Sequence, residues 1–116
     1  MPEAFANKNQ RVFDRHVGRH AGDFGISLES ENVGHQYVEV SQEFLQRAIK
    51  GRFPAIEYPN GGEIGIYEPA TNTFGLYNSK GQTISFYKPT SDTYFERQIE
   101  NAIARGGRII NTLPKR

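Results

Sequence analysis

Between Phe53 and Pro89 the apolar residues fall into short runs of period two, and turn signals interrupt them at regular intervals. Little besides an antiparallel meander satisfies that pattern. Phe53 to Tyr58 reads as a first strand, interrupted by Pro54 and therefore an edge strand or a late-starting one. Asn60-Gly61-Gly62 is a hairpin signal. Glu63 to Tyr67 follows as a second strand, Glu68 to Asn72 as a turn, and Thr73 to Tyr77 as a third strand. Asn78-Ser79-Lys80-Gly81 then leads into Gln82-Thr83-Ile84-Ser85-Phe86-Tyr87-Lys88-Pro89, a fourth strand expected in or near the sheet interior.

Helical periodicity flanks this meander. From Asn9 to about Gly22 a narrow stripe of Val12, Phe13 and Val17 predicts a first helix, with residues 1–8 as a loose lead-in. Residues 27–36 read as a polar connection. Tyr37, Val40, Phe44, Leu45, Ala48 and Ile49 predict a second helix to Lys50, closed by Gly51. Residues 91–105, starting near Ser91 or Asp92, predict a third helix with Tyr94, Phe95, Ile99, Ala102 and Ile103 as its stripe. Gly106-Gly107 ends it, Arg108 to Leu113 reads as a short further strand, and Pro114-Lys115-Arg116 as a tail. Helices first and a meander after them give an α+β fold, N-terminal helices packed on a four-stranded or slightly larger antiparallel sheet with a further C-terminal helix.

The 116 residues suffice for one core, so residues 1–116 are read as a single domain. Six tyrosines and eight phenylalanines supply most of its volume. A net charge of +1 excludes a general polyanion binder and requires any nucleic-acid site to be a local patch. With no cysteine there is no disulfide, thiolate metal site or cysteine nucleophile, a composition that suits passage between oxidising and reducing compartments. No apolar run approaches the roughly 20 residues of a membrane span, and the first residues lack a signal-peptide core.

Strand alternation puts Ile64, Ile66, Phe74, Leu76, Ile84 and Phe86 on one face, expected to pack on the helices. The other face would carry Gly65, Tyr67, Thr73, Gly75, Tyr77, Thr83, Ser85 and Tyr87. Glycines there, flanked by tyrosines and hydroxyls, predict a shallow groove suited to single-stranded nucleic acid, peptide or carbohydrate. His16 and His20 lie one turn apart on the first helix, with Arg11, Arg15 and Arg19 beside them. Histidine can take the 2′-hydroxyl proton of RNA or protonate the 5′-oxygen leaving group near neutral pH. His16-x-x-x-His20 is also half of a zinc-site spacing, but no glutamate lies between and only His35 remains as a nitrogen ligand, so no metal and no cofactor is expected. Asp23-Phe24-Gly25 matches the kinase metal-binding triplet, which a chain this short without a glycine-rich loop cannot use.

His20-Ala21-Gly22-Asp23-Phe24-Gly25-Ile26 resembles a segment of colicin D and related bacterial toxin C-termini, in which a histidine precedes Asp-Phe-Gly. Thr83-Ile84-Ser85-Phe86-Tyr87-Lys88-Pro89 resembles the closing-strand motif of toxin domains from contact-dependent growth inhibition proteins. The order of elements over residues 10–95 is similar to that of the barnase, EndoU, colicin and RelE-like ribonuclease superfamily. The resemblance implies a metal-independent ribonuclease, usually directed at tRNA, that leaves a 2′,3′-cyclic phosphate. It implies secretion or surface display within a larger delivery protein, action in the cytoplasm of target bacteria, and a heterodimer with a cognate immunity protein. Carried over by residue, the general acid/base histidine falls on His20, the strand hydroxyl on Ser85 and the following aromatic on Tyr87, in place of a tryptophan. Thr83 opens the same motif. The basic residue upstream of the histidine falls on Arg19 or His16, neither of them the family's lysine. Lys88, Tyr67, Tyr77 and Arg15 are the candidate substrate-binding residues. The immunity protein is expected to be acidic and to cover the groove, drawn by Arg11, Arg15, Arg19, Lys80 and Lys88. A non-catalytic peptide- or nucleic-acid-binding module using the same groove is the alternative.

Overall fold

The structure, a computed structural model, describes residues 1–59 and 61–111. The described residues form an α+β fold of three α-helices and one five-stranded antiparallel sheet. Helix α1 spans Gln10–His20 and α2 Val33–Gly51; strands β1 Ala55–Glu57, β2 Ile64–Glu68, β3 Thr73–Tyr77 and β4 Thr83–Tyr87 follow, then α3 Tyr94–Ala104 and β5 Arg108–Asn111. The strand order is β4-β3-β2-β1-β5. Among the described residues no helix is long and apolar enough to cross a membrane.

Local chemistry sets the helix limits. The side chain of Asn9 accepts hydrogen bonds from the backbone N–H groups of Arg11 and Val12 at 2.9 and 3.2 Å, an N-cap that starts α1. A 3-10 turn, Ala21–Phe24, continues from His20 and closes at Gly25 with φ +73°. Helix α2 begins four residues before its apolar stripe predicts, and Gly34 in that added turn packs closely on α1. A Cβ there would lie 2.7 Å from the Phe13 ring. At its other end Gly51 is still helical and Arg52 takes the left-handed capping position at φ +52°. Ile49, expected in the core stripe, is 64% exposed.

The sheet is covered on both faces, which overturns the expected division into a helix-packed side and an open one. Cross-strand partners share a face, and the register pairs Ile66 with Gly75 and Gly75 with Phe86, but Tyr67 with Phe74 and Phe74 with Tyr87. Ala55, Ile66, Tyr77 and Phe86 therefore pack with Phe13, Val17, Tyr37 and Phe44 of α1 and α2. Ile56, Phe74, Leu76, Tyr67 and Tyr87 pack with Tyr94, Phe95, Ile99 and Ala102 of α3. Phe74 and Leu76 thus belong to the α3 face, and Gly75, Tyr77 and Thr83 to the α1/α2 face. A register shift between Leu76 and Tyr77 lets Tyr77 pair with Thr83 while Leu76 pairs with Ser85. This bulge leaves Ile84 without an opposite partner.

The fourth strand is an edge strand of the five rather than an interior one. Its outer side is held at the first residue by the N-terminal segment. The Thr83 N–H donates to Ala4 O at 2.7 Å and the Ala6 N–H to Thr83 O at 2.8 Å, and Phe5, with no exposed surface, anchors the segment in the core. Residues 1–8 are accordingly no loose lead-in. At the far edge β5 pairs with β1, so β1 starts late, after Pro54, but is not an edge. Asn60 of the predicted hairpin, and the expected tail Pro114-Lys115-Arg116 with Leu113, lie outside the described residues.

Candidate active site

The end of α1 meets the end of β4. The ring of His20 lies 5.3 Å, centre to centre, from that of Tyr87, and His16 lies one turn back with its ring 6.1 Å from that of His20. On the far side of Tyr87, its hydroxyl shares a hydrogen bond with the hydroxyl of Tyr94 on α3. The rings of Tyr87 and Tyr94 are edge to face, and both abut Phe74. Ser85 shares the Tyr87 face of β4 and is partly exposed. The sequence thereby brings His20, Tyr87 and His16 together from segments far apart in the chain.

Charge is distributed unevenly around the two histidines. Burial lowers the pKa of His20 from its ordinary value and Arg19 lowers it further, while Asp23, with Oδ2 at 3.9 Å from Nδ1, pulls in the opposite direction. Burial is also the main cause of the lowered pKa of His16, reinforced by His20, Arg19 and Arg15. The Nδ1 atom of His16 is buried and has no hydrogen-bond partner among the described residues, and its ring packs on Phe5 at 5.6 Å. Both imidazoles are thus held toward the neutral form, and of the two, among the described residues, His20 alone has a carboxylate to favour its cation. Burial, then the bond to Tyr94, raises the pKa of Tyr87, so its phenol stays protonated at neutral pH.

The remaining candidates divide. Arg15 and Arg19 are exposed on α1. Lys88 is fixed at the end of β4, donating to Thr71 O at 2.7 Å and Thr73 Oγ1 at 3.1 Å, with its ammonium 5.3 Å from the centre of the Phe24 ring. Phe24 in turn stacks on Phe86 at 4.1 Å. Lys80 belongs to the turn before β4, separated from Tyr87 by at least the length of that strand, roughly 13 Å, so it does not join the cluster.

Thr83 and Tyr77 are interior, on the opposite face from Tyr87. Thr83 Oγ1 accepts from Gln42 Nε2 at 2.9 Å and lies 2.7 Å from Ser41 Oγ, which itself donates to Val38 O. The Tyr77 hydroxyl donates to Ser41 O at 2.6 Å. Tyr67 stacks on Phe95 at 5.3 Å and donates to Asn72 Oδ1 at 2.8 Å. None of these three forms, with Tyr87, the one polar groove that the sequence predicts. The glycines explain why: a Cβ on Gly75 would lie 2.7 Å from the Tyr77 hydroxyl, and one on Gly65 would lie 2.8 Å from the Phe74 ring. Each glycine makes room for one of the protein's own rings instead of a ligand. The single polar groove expected of one face therefore does not form: α3 covers Tyr67, and α2 covers Tyr77 and Thr83.

Sequence reasoning passed over Tyr94, Phe5 and the electrostatic role of Asp23. A tyrosine within an apolar stripe was the available signal for Tyr94, since a buried phenol needs a partner for its hydroxyl. His35 lies in the first turn of α2, and among the described residues no three His, Asp or Glu side chains gather as a metal-binding group. No family model matches the chain, and no curated protein matches it.

Proposed function

We propose that this chain is the nuclease domain of a bacterial competition toxin, a metal-independent endoribonuclease that cleaves tRNA. The observation that carries the reading is the packing of His20 against Tyr87, with His16 one turn away and Arg15 and Arg19 on the same helix. In this reaction the RNA 2′-oxygen attacks phosphorus, the bond to the 5′-oxygen breaks, and a 2′,3′-cyclic phosphate forms. His20 shuttles the proton. Its neutral form, favoured by burial and Arg19, takes the proton from the 2′-hydroxyl. The resulting cation, favoured by Asp23, returns it to the departing 5′-oxygen. Ser85 donates its hydroxyl to a non-bridging phosphate oxygen, Arg15, Arg19 and Lys88 offset the phosphate charge, and Tyr87 supports the imidazole and offers an aromatic surface for a base. The domain is delivered by a larger secreted or surface protein and is neutralised by an acidic immunity protein.

Incubation with deacylated tRNA in excess EDTA tests the reading. Wild-type protein cuts the tRNA and His20→Ala does not. Cleavage that requires added zinc, or that survives in His20→Ala, contradicts it.

A further inference from the structure

Between the second half of α2 and the β5 edge of the sheet lies an open apolar cavity of about 280 Å³. Leu45, Ile49, Phe53, Ile66, Tyr77 and Ile110 are among its lining residues. Two of them are large aliphatic side chains left in solvent: Ile49 is 64% exposed and Ile110 39%. The wall carrying Ile110 is β5, and among the described residues no strand pairs with its outer side. Isoleucine on an unpaired edge strand beside an apolar trough is a surface that proteins ordinarily cover.

The chemistry around the trough selects what covers it. Lys50 adjoins Ile49 in the chain, Arg52 adjoins Phe53, and Lys80 lies between Ser79 and Gly81, which also line the cavity. All three are exposed, and among the described residues none is in an ion pair. The single acidic residue directly flanking a lining residue on the sheet side is Glu63, beside Ile64. The outer N–H and C=O groups of an edge strand are matched by another backbone, which points to polypeptide rather than RNA or a small molecule. A second copy related by a two-fold axis would present the same three cations to this face.

We infer that this groove docks an extended, acidic segment of a protein partner, added to the sheet beside β5. Alternate apolar side chains meet Ile110 and the β5 end of the trough, and the carboxylates meet Lys50 and Arg52. The groove shares no residue with the His20 cluster, so the inference is independent of the ribonuclease reading.

The test uses the whole chain and a short capped peptide alternating valine with glutamate, with a lysine-for-glutamate peptide as its counterpart, followed by fluorescence anisotropy. The glutamate peptide should bind at least about ten-fold more tightly than the lysine peptide, equivalent to about 1.4 kcal/mol. Ile49→Glu and Ile110→Glu, both at solvent-exposed positions, should each weaken it by about ten-fold or more. Hydrogen exchange at the β5 amides should slow when the peptide is bound. Equal affinity for the two peptides, no binding of either, or binding indifferent to Ile110→Glu overturns the inference. Dimerisation that is lost in Ile110→Glu identifies a second copy as the occupant and also overturns it. So does binding seen only after removal of residues 112–116, which assigns the groove to the chain's own end. RNA cleavage by Ile110→Glu serves as the separate readout of the nuclease.

Discussion

The imidazole of His20 and the phenol ring of Tyr87 pack at 5.3 Å with a 34° tilt, one at the last residue of α1 and the other at the last residue of β4. The Tyr87 hydroxyl is anchored on the opposite side by Tyr94 of α3. Tyr87 therefore links α3, through Tyr94, to the imidazole at the end of α1. The site depends on α3 as much as on the two segments that carry the motifs.

The phenol pair should behave as a coupled unit. Tyr87→Phe and Tyr94→Phe each leave the other hydroxyl poorly satisfied, and each should lower stability by about 1–2 kcal/mol in urea unfolding. The double variant should lose less than the sum, by about 1 kcal/mol. Simple additivity would show that the two hydroxyls do not depend on each other.

The buried hydroxyls on the other face should matter to folding alone. Thr83→Val leaves Ser41 and Gln42 short of a partner and should lower stability by about 1–3 kcal/mol. Per folded molecule its RNA cleavage should match wild type. A large loss of turnover with unchanged stability would place Thr83 in the chemistry.

Acid should destabilise the domain through its histidines. The folded-state pKa values of His16 and His20 lie below the ordinary 6.5. Between that lowered value and 6.5 the unfolded chain binds a proton and the folded chain does not. Stability is therefore fully present above 6.5 and is lost as pH falls through the folded values. Thermal unfolding should shift to lower temperature between neutral pH and about pH 5, and His16→Gln should flatten the dependence. An unchanged slope in that variant would separate the orphaned imidazole from the effect.

Why the strands were legible and the faces were not follows from the strand register and the third helix. Thr73 to Tyr77 was readable to the residue because its aromatic and β-branched residues lie between turn signals, and the resulting antiparallel sheet and α+β class hold. Assigning faces required the β2–β3 register, which pairs Phe74 with Tyr67 and not with Ile66, and the shift at Leu76/Tyr77 then moves Thr83 off the face of Ser85 and Tyr87. The reading of an open polar face required that nothing cover it, and α3 does, through Phe95, Ile99 and Ala102. Gly65 and Gly75 are ambiguous in sequence, since a close-packed ring and a bound ligand both exclude a Cβ. The resemblance assigns His20 and Tyr87 to one site only through the order of two short motifs, and the structure brings their rings to 5.3 Å. The bond to Tyr94 left no mark in the chain beyond a tyrosine in an apolar stripe.

End-group analysis of tRNA cut in excess EDTA, comparing wild type with His20→Ala at matched folded concentration, tests the proton-shuttle role of His20 most directly. Wild type should leave a 2′,3′-cyclic phosphate and a 5′-hydroxyl, and His20→Ala should slow their formation by about 10²–10⁴-fold, the range for loss of general acid–base catalysis. Products with a 5′-phosphate, or a His20→Ala rate within a few-fold of wild type, would contradict it.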